Sequence, residues 1–433
     1  MILADFPQPP ANNGRGLHGT ASNQRFPDPW DYWLNEICEM GIKWFKLLDD
    51  GGSNVDFAKE LLHRGVMPVI RLYIDAPNPG RITDYARVDE VAVIRRYVAA
   101  GIRYFEINNE PNLGNEWHIP YPPDAPEMTM DNWLPDAELV ISLGGLPAFP
   151  ALAQTQDPRF NSVNWCRRAF AYLKSHYADR AAAVFSSGAW LAVHAALLNH
   201  PLDYPYDAIN QRDHPRATAF TDDCCLLGYR VPLDILKETF GLSAPVISTE
   251  GGVFAPGPSG STTWDTRYPA ITKQTHATNT VAMFQWMMDQ SPAEFFGMCP
   301  WLIFGGGNPA WDYDSWYRRN EILPVVAALK GMPNYAKKSP VGAVPKPSPG
   351  LPPASVDVAN IARGAAWSAL KITLNPDAAL FKKAKELQLG HPVTNEIPGV
   401  MIGGVRCVVQ GFANGILYAK EGDWGNIQMA TWM

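Results

Sequence analysis

Short apolar runs alternate along this chain with stretches whose apolar positions recur every three or four residues. The runs lie near Gly16–Gly19, Ile42–Leu48, Met67–Tyr73, Tyr104–Asn108, Leu139–Leu143, Ala189–His194, Val246–Thr249 and Met298–Phe304. Their length and apolar make-up predict buried strands. Helical spacing is predicted over Pro29–Met40, Asp89–Ala100, Asn161–Tyr177, Asp223–Phe240, Lys273–Gln290 and Arg318–Lys330. Strands that alternate with helices imply βα units and a parallel sheet.

Eight such repeats in about 330 residues predict an α/β chain built on a (β/α)8 TIM barrel. The expected domain covers residues 1–335. Residues 112–135 and 195–222, rich in Pro, Tyr, Trp and Asp, read as long loops that wall a substrate. Lys337–Pro353 holds six prolines in seventeen residues, which suits neither helix nor sheet. It predicts a Pro-rich linker over 336–355. A small α+β accessory domain over 356–433 is expected to follow. Its helix is Asp377–Leu389, and its strands, near 405–412 and 415–419, meet at a turn through Asn414 and Gly415.

Composition narrows the function. Hydrophobic content of 46% over 433 residues is enough for a large core. A net charge of −7 lacks the basic face that nucleic acid requires. No apolar run reaches the ~18 residues of a membrane span. The first residues show no basic stretch followed by an apolar one. The expected location is therefore cytoplasmic, although an exported protein without its leader would read the same. The six scattered cysteines read as reduced core thiols. Gly14–Gly19 matches a dinucleotide fingerprint by letter but follows no strand. The dispersed histidines supply no metal motif, so neither metal nor cofactor is expected. Fifteen tryptophans are more than a core needs. Trp117, Trp264 and Trp311 stand after predicted strands, where flat rings stack on sugar faces.

The chemistry lies at two strand ends. Asn109-Glu110-Pro111 follows the fourth run, and Glu250-Gly251-Gly252 follows the seventh. Paired carboxyls in one cleft are what cleavage of a glycosidic bond needs, one as acid and base, the other as nucleophile. Arg71, at the end of the third run, is placed to bond Glu250. Asn109 is placed to donate to the hydroxyl next to the anomeric carbon. Asp49 and Lys46, at the end of the second run, are candidates to bind sugar hydroxyls.

Asn109-Glu110-Pro111 after strand four, with Glu250 after strand seven, Arg71 on strand three and Trp301 on strand eight, resembles clan A of the glycoside hydrolases. That clan holds cellulases, mannanases, β-glycosidases and β-xylosidases. The resemblance covers roughly residues 12–332. It implies that Glu110 is the acid/base and Glu250 the nucleophile of a retaining enzyme. It also implies that His194 and Trp301 line the −1 subsite, with His18 on its floor. The implied partner is a β-linked oligo- or polysaccharide. One departure stands out. The clan's His-x-Tyr after strand six, whose Tyr steers the nucleophile, is here His194-Ala195-Ala196. Tyr204 and Tyr206 are the nearby candidates to replace it. A transglycosylase and a sugar-binding protein of the same fold remain as alternatives. The C-terminal unit weakly resembles accessory domains of wall-associated hydrolases, which would make it a carbohydrate or cell-wall contact.

Overall fold

Strand alternation explains the barrel. The strands are β1 (Gly16–His18), β2 (Trp44–Asp49), β3 (Met67–Leu72), β4 (Tyr104–Glu106), β5 (Leu146–Phe149), β6 (Trp190–Ala196), β7 (Val246–Gly252) and β8 (Phe295–Met298). Each pairs in parallel with the next. Arg15 bridges Met298, and the Met298 N–H donates to Gly14 O at 3.0 Å, which brings β8 back to β1. This computed structural model describes residues 1–75, 77–84, 88–155, 157–338, 375–387, 389–390, 392–412 and 415–430. The chain divides into two compact units, Met1–Pro349 and Gly350–Met433.

Successive side chains of each strand face opposite ways. Phe45, Leu47, Ile70, Leu72, Phe105, Leu191 and Val193 pack outward in the large core shared with the helices. Trp44, Met67, Val69, Tyr104, Leu146, Ala148, Trp190, Ala192, Ile247 and Phe296 form a separate cluster inside the barrel. Its lowest layer is aromatic and comes from the even strands, as barrel layering requires. The Trp44 and Tyr104 rings are 5.4 Å apart, Tyr104 and Trp190 5.7 Å, and Trp44 and Phe296 6.2 Å. Phe6 meets Phe296 edge-on at 6.4 Å. This apolar floor leaves only the carboxyl ends of the strands for polar chemistry.

The helices are α1 (Trp30–Glu39), α2 (Val55–His63), α3 (Glu90–Ala99), α4 (Ala125–Ser142), α5 (Ser162–Ser187), α6 (Ala208–Asp213), α7 (Arg230–Phe240), α8 (Lys273–Asp289), α9 (Pro309–Asp312) and α10 (Pro324–Lys330). Among the described residues, no helix is long and apolar enough to cross a membrane. No disulfide joins any of the six cysteines.

Two strands differ from the prediction. The run Leu139–Leu143 is the last turn of α4 and its cap, and strand five is Leu146–Phe149 instead. Met130, Trp133, Leu134, Ala137 and Val140 form one buried helical face that continues into that run. Gly144, at φ 89°, then ends the helix. Half of the expected 112–135 wall is therefore α4. The eighth strand is Phe295–Met298, and Cys299–Phe304 is the loop beyond it. Pro300 has no N–H for a ladder. The loop bonds to β1 instead, with His18 N–H donating to Pro300 O and Ile303 N–H to His18 O. Helix α5 runs on to Ser187 through a kink at Tyr177, and the last barrel helix begins only at Pro324.

The second unit holds α11 (Ala379–Glu386) and an antiparallel sheet of β9 (Ile397–Ile402), β10 (Val405–Phe412), β11 (Gly415–Lys420) and β12 (Gln428–Ala430). Leu380, Ala384, Leu389, Val408, Phe412, Leu417 and Ala419 make its core. From residue 339 the Pro-rich stretch lies outside the described residues, as do 413–414 of the expected turn.

Candidate active site

Glu110 stands four residues past the end of β4 in a strained conformation. Its φ is +40°, a region that side-chain-bearing residues rarely adopt. Two hydrogen bonds hold it there. Its N–H donates to Ala151 O at 2.9 Å, and its carbonyl accepts from Leu113 N–H at 2.8 Å. Such strain gathers at functional sites when the surroundings enforce it.

Glu250 is set by a bulge between β6 and β7. Val193 pairs with Ser248, but His194 pairs with Glu250, so the register skips Thr249. Ser248 Oγ donates to Glu250 O at 2.7 Å and accepts from Ala195 N–H at 3.0 Å. Gly251 must follow. At φ 99° an added Cβ would stand 2.6 Å from the Ala195 backbone.

These two corners bring the carboxyls together. One oxygen of Glu110, one of Glu250 and a ring nitrogen of His194 all lie within 4.8 Å of one another. The side chains are 22% and 18% exposed, so both open on the cleft. His194 Nδ1 bonds Glu110 Oε1 at 2.8 Å, and its Nε2 lies 3.8 Å from Glu106 and from Glu250. Burial pushes the His194 ring down, but Glu250, Glu106 and Glu110 prevail and raise it to about 9. It is therefore an imidazolium at neutral pH.

Glu250 is crowded by bases. Lys46 Nζ donates to Oε1 at 2.9 Å, and Arg71 Nη1 is 3.7 Å away. His18 Nε2 is at 3.8 Å. Burial works against the Glu250 charge, but the charges of Lys46, His194 and Arg71 outweigh it and hold the carboxyl well below the usual carboxylate range. Burial, then the Lys46 charge, pushes His18 far down, so His18 is neutral. Its ring packs against Trp301 at 4.3 Å, and Trp301 meets Trp311 edge-on at 5.4 Å. The three-residue cluster has the spacing of a cation site. Lys46 and Arg71 beside Glu250 repel a metal ion, however, and the imidazolium cannot ligate one.

Other candidates lie differently. Asn109 Nδ2 donates to Glu116 Oε1 at 3.2 Å, beside the site. Trp264, 43% exposed, tilts on Phe254, and Trp311 is 39% exposed. Both rings are open for stacking. Trp117 is buried, and its Nε1 donates to Pro111 O at 2.8 Å. It staples the loop after Glu110 and offers no free face. Asp49 is also occupied. It accepts from Gly52 N–H at 2.7 Å, Asn54 N–H at 2.9 Å and Tyr97 Oη at 2.5 Å. That carboxylate ties β2 to α2 and α3 and leaves little for a sugar. Asp49→Ala is expected to lower the unfolding free energy by roughly 3 kcal/mol in urea titration. A loss below ~1 kcal/mol would return Asp49 to the candidate ligands.

Neither tyrosine replaces the missing one. Tyr204 is buried, stacks on His200 at 3.7 Å and bonds Asp222. Tyr206 Oη accepts from Ala219 N–H at 3.3 Å.

Two carboxylates escaped the sequence reading. Glu106, fully buried, accepts from Thr249 Oγ1 at 3.0 Å and faces Lys46 Nζ at 2.9 Å. Burial opposes its charge, but Lys46 and then His194 bring its pKa to about 2. Its signal was a charge inside the apolar run Tyr104–Asn108, on the inward side with Tyr104. Glu116 sits on a turn (Gly114–Glu116) after Glu110. Burial pushes its carboxyl up, against the pull of Arg71.

No protein-family profile and no curated protein matches the chain. Solved structures give weak overall likenesses. A family 51 α-L-arabinofuranosidase from Bifidobacterium longum has 11% identity and TM-score 0.40, over 68% of this chain and 67% of its own. A GH128 endo-β-1,3-glucanase from Amycolatopsis mediterranei has 12% identity and TM-score 0.38, over 73% and 98%. A β-glucuronidase from Bifidobacterium dentium has 14% identity and TM-score 0.43, over 75% of this chain and 47% of its own. Likenesses this weak leave the function to be argued from the site itself.

Proposed function

We propose that the barrel is a retaining O-glycoside hydrolase acting on β-linked oligo- or polysaccharide. One observation carries this reading. Glu110 and Glu250 present oxygens within 4.8 Å of each other, and both are open to the cleft. Retaining enzymes hold their carboxyls ~5–5.5 Å apart, whereas inverting enzymes need ~6.5–9.5 Å to admit a water.

Glu250, kept ionised by its basic neighbours, attacks the anomeric carbon. The bond to the leaving oxygen breaks, and that oxygen takes a proton from Glu110. The His194 ring, in contact with Glu110 Oε1 at 2.8 Å, orients that carboxyl toward the leaving oxygen. The product is a glycosyl ester on Glu250. Having given up its proton in that step, Glu110 is left as the base for the next. Glu110 then takes a proton from water, the water oxygen attacks the anomeric carbon, and the ester bond to Glu250 breaks. Trp301 and His18 form the wall next to Glu250, and Trp311 extends it outward. No step calls for a metal or an organic cofactor.

The test is covalent capture. A panel of aryl β-glycosides, each with fluorine in place of the hydroxyl next to the anomeric carbon, is incubated with the protein. Mass spectrometry is expected to find one added glycosyl group, on the peptide that contains Glu250. With ordinary substrates, proton NMR is expected to show a β-anomer as the first product. A first-formed α-anomer would refute the retaining mechanism.

A further inference from the structure

We infer that Lys46 is the positioning residue of the nucleophile, holding Glu250 by Oε1 so that it attacks through Oε2. The inference rests on the glycosidase reading above and supplies what the absent tyrosine would do.

The contacts of Glu250 are one-sided. Lys46 at 2.9 Å, Arg71 at 3.7 Å, and His18 and His194 at 3.8 Å all approach the same oxygen, Oε1. Oε2 accepts no hydrogen bond among the described residues, yet it is not sealed from the cleft. An oxygen already bonded by an ammonium is a poor nucleophile, and the free one keeps its lone pairs for carbon.

Of the four neighbours, Lys46 alone hydrogen-bonds the carboxylate. Its side chain is fully buried, as is that of Glu106. It therefore cannot reach a substrate, and the expected contact with sugar hydroxyls is replaced by one with Glu250. The Lys46 stem rises inside the barrel from the Trp44 layer, since Trp44 and Lys46 share the inward face of β2. Glu106 Oε2 lies 2.9 Å from Nζ but out of line for a hydrogen bond, so the directed bond goes to Glu250. Thr249 fixes the other oxygen of Glu106. Strands β2, β4 and β7 thus lock one ammonium beneath one oxygen. A tyrosine hydroxyl from β6 would steer by a neutral hydrogen bond. Lys46 steers and adds charge.

The test removes the buried pair as a unit, because a lone buried charge would endanger folding. In Lys46→Met/Glu106→Gln both sites are neutral, and the amide still accepts from Thr249. Glu250 must be ionised to attack, so activity falls as pH drops through its pKa. Loss of the ammonium raises that pKa. The acid limb of kcat/KM is expected to move up by roughly 1–3 pH units, with KM on the plateau unchanged. Glu106→Gln alone keeps Lys46 and is expected to keep the wild-type limb. Lys46→Arg, which keeps the charge in a different shape, is expected to keep the limb but lower kcat.

A readout independent of turnover is carbon-13 NMR of labelled glutamate carboxyls, with Glu250 assigned from its loss in Glu250→Gln. Its titration is expected to rise in the double variant alone. An unmoved limb and an unmoved titration in the folded double variant would overturn the inference. Should Lys46→Arg alone fold, an undiminished kcat would overturn it too. If the Glu250 titration rises while the wild type cleaves no glycoside, Lys46 still holds Glu250, and it is the glycosidase reading that fails.

Discussion

Glu250→Ala is expected to lose turnover of aryl β-glycosides by on the order of 10⁴-fold or more, because no other group can form the covalent intermediate. Its fold should persist. Lys46 keeps Glu106 as its buried counter-ion, so no charge is stranded in the barrel. The missing carboxylate leaves a small space beneath the anomeric carbon, beside Lys46 and Arg71. Azide fits such a space and is drawn by those cations. With added azide the variant is expected to recover activity and to release an α-glycosyl azide from a β-substrate. Attack then comes from the nucleophile's face in a single displacement, and nothing returns the configuration. A Glu250→Ala enzyme within tenfold of wild type would remove Glu250 from the mechanism.

The two corners of the site were legible because each is a short, local pattern. Asn109-Glu110-Pro111 and Glu250-Gly251-Gly252 end apolar runs, and a barrel puts strand ends on one face. Lys46 and Glu106 were harder. Each is a charge inside an apolar strand, and such a charge is tolerated only when its partner is close. The partners come from strands distant in sequence, so alternation can point both side chains inward but cannot show that they meet. Asp49 and Trp117 misled in the opposite way. Both stand at strand ends or in loops that suit a ligand. Backbone N–H groups at Gly52 and Asn54, and the carbonyl of Pro111, claim them first.

The same reasoning explains strand five. Leu139–Leu143 is apolar enough for a strand and is followed by two glycines, but those traits also end a helix. Only the buried face from Met130 to Val140 decides, and the helix carries Pro135 within it. The shift left the site intact. Glu110 follows β4, which pairs with β3 and with the true β5, and its N–H still meets Ala151 O, while Glu250 lies on β7, which pairs with β6.

Glu110→Ala should separate substrates by their leaving groups. General acid help is worth about 10²–10⁴-fold, and only a poor leaving group needs it. Unactivated disaccharides are expected to lose that full factor. Dinitrophenyl glycosides, which leave without a proton, should still glycosylate Glu250 at near the wild-type rate. Water, no longer activated, then attacks the ester slowly, so the intermediate accumulates and both kcat and KM fall together. Azide needs no base, and here it is expected to speed the second step and give a β-glycosyl azide, the opposite anomer to that from Glu250→Ala. The pH profile adds a further mark. In wild type the basic limb is expected to report loss of the His194 proton, since that ring is raised to about 9 with Glu110 as one of its causes. In Glu110→Ala that limb should vanish for dinitrophenyl glycosides. Equal losses on all substrates, with no azide product, would mean that Glu110 supports the site without moving the proton.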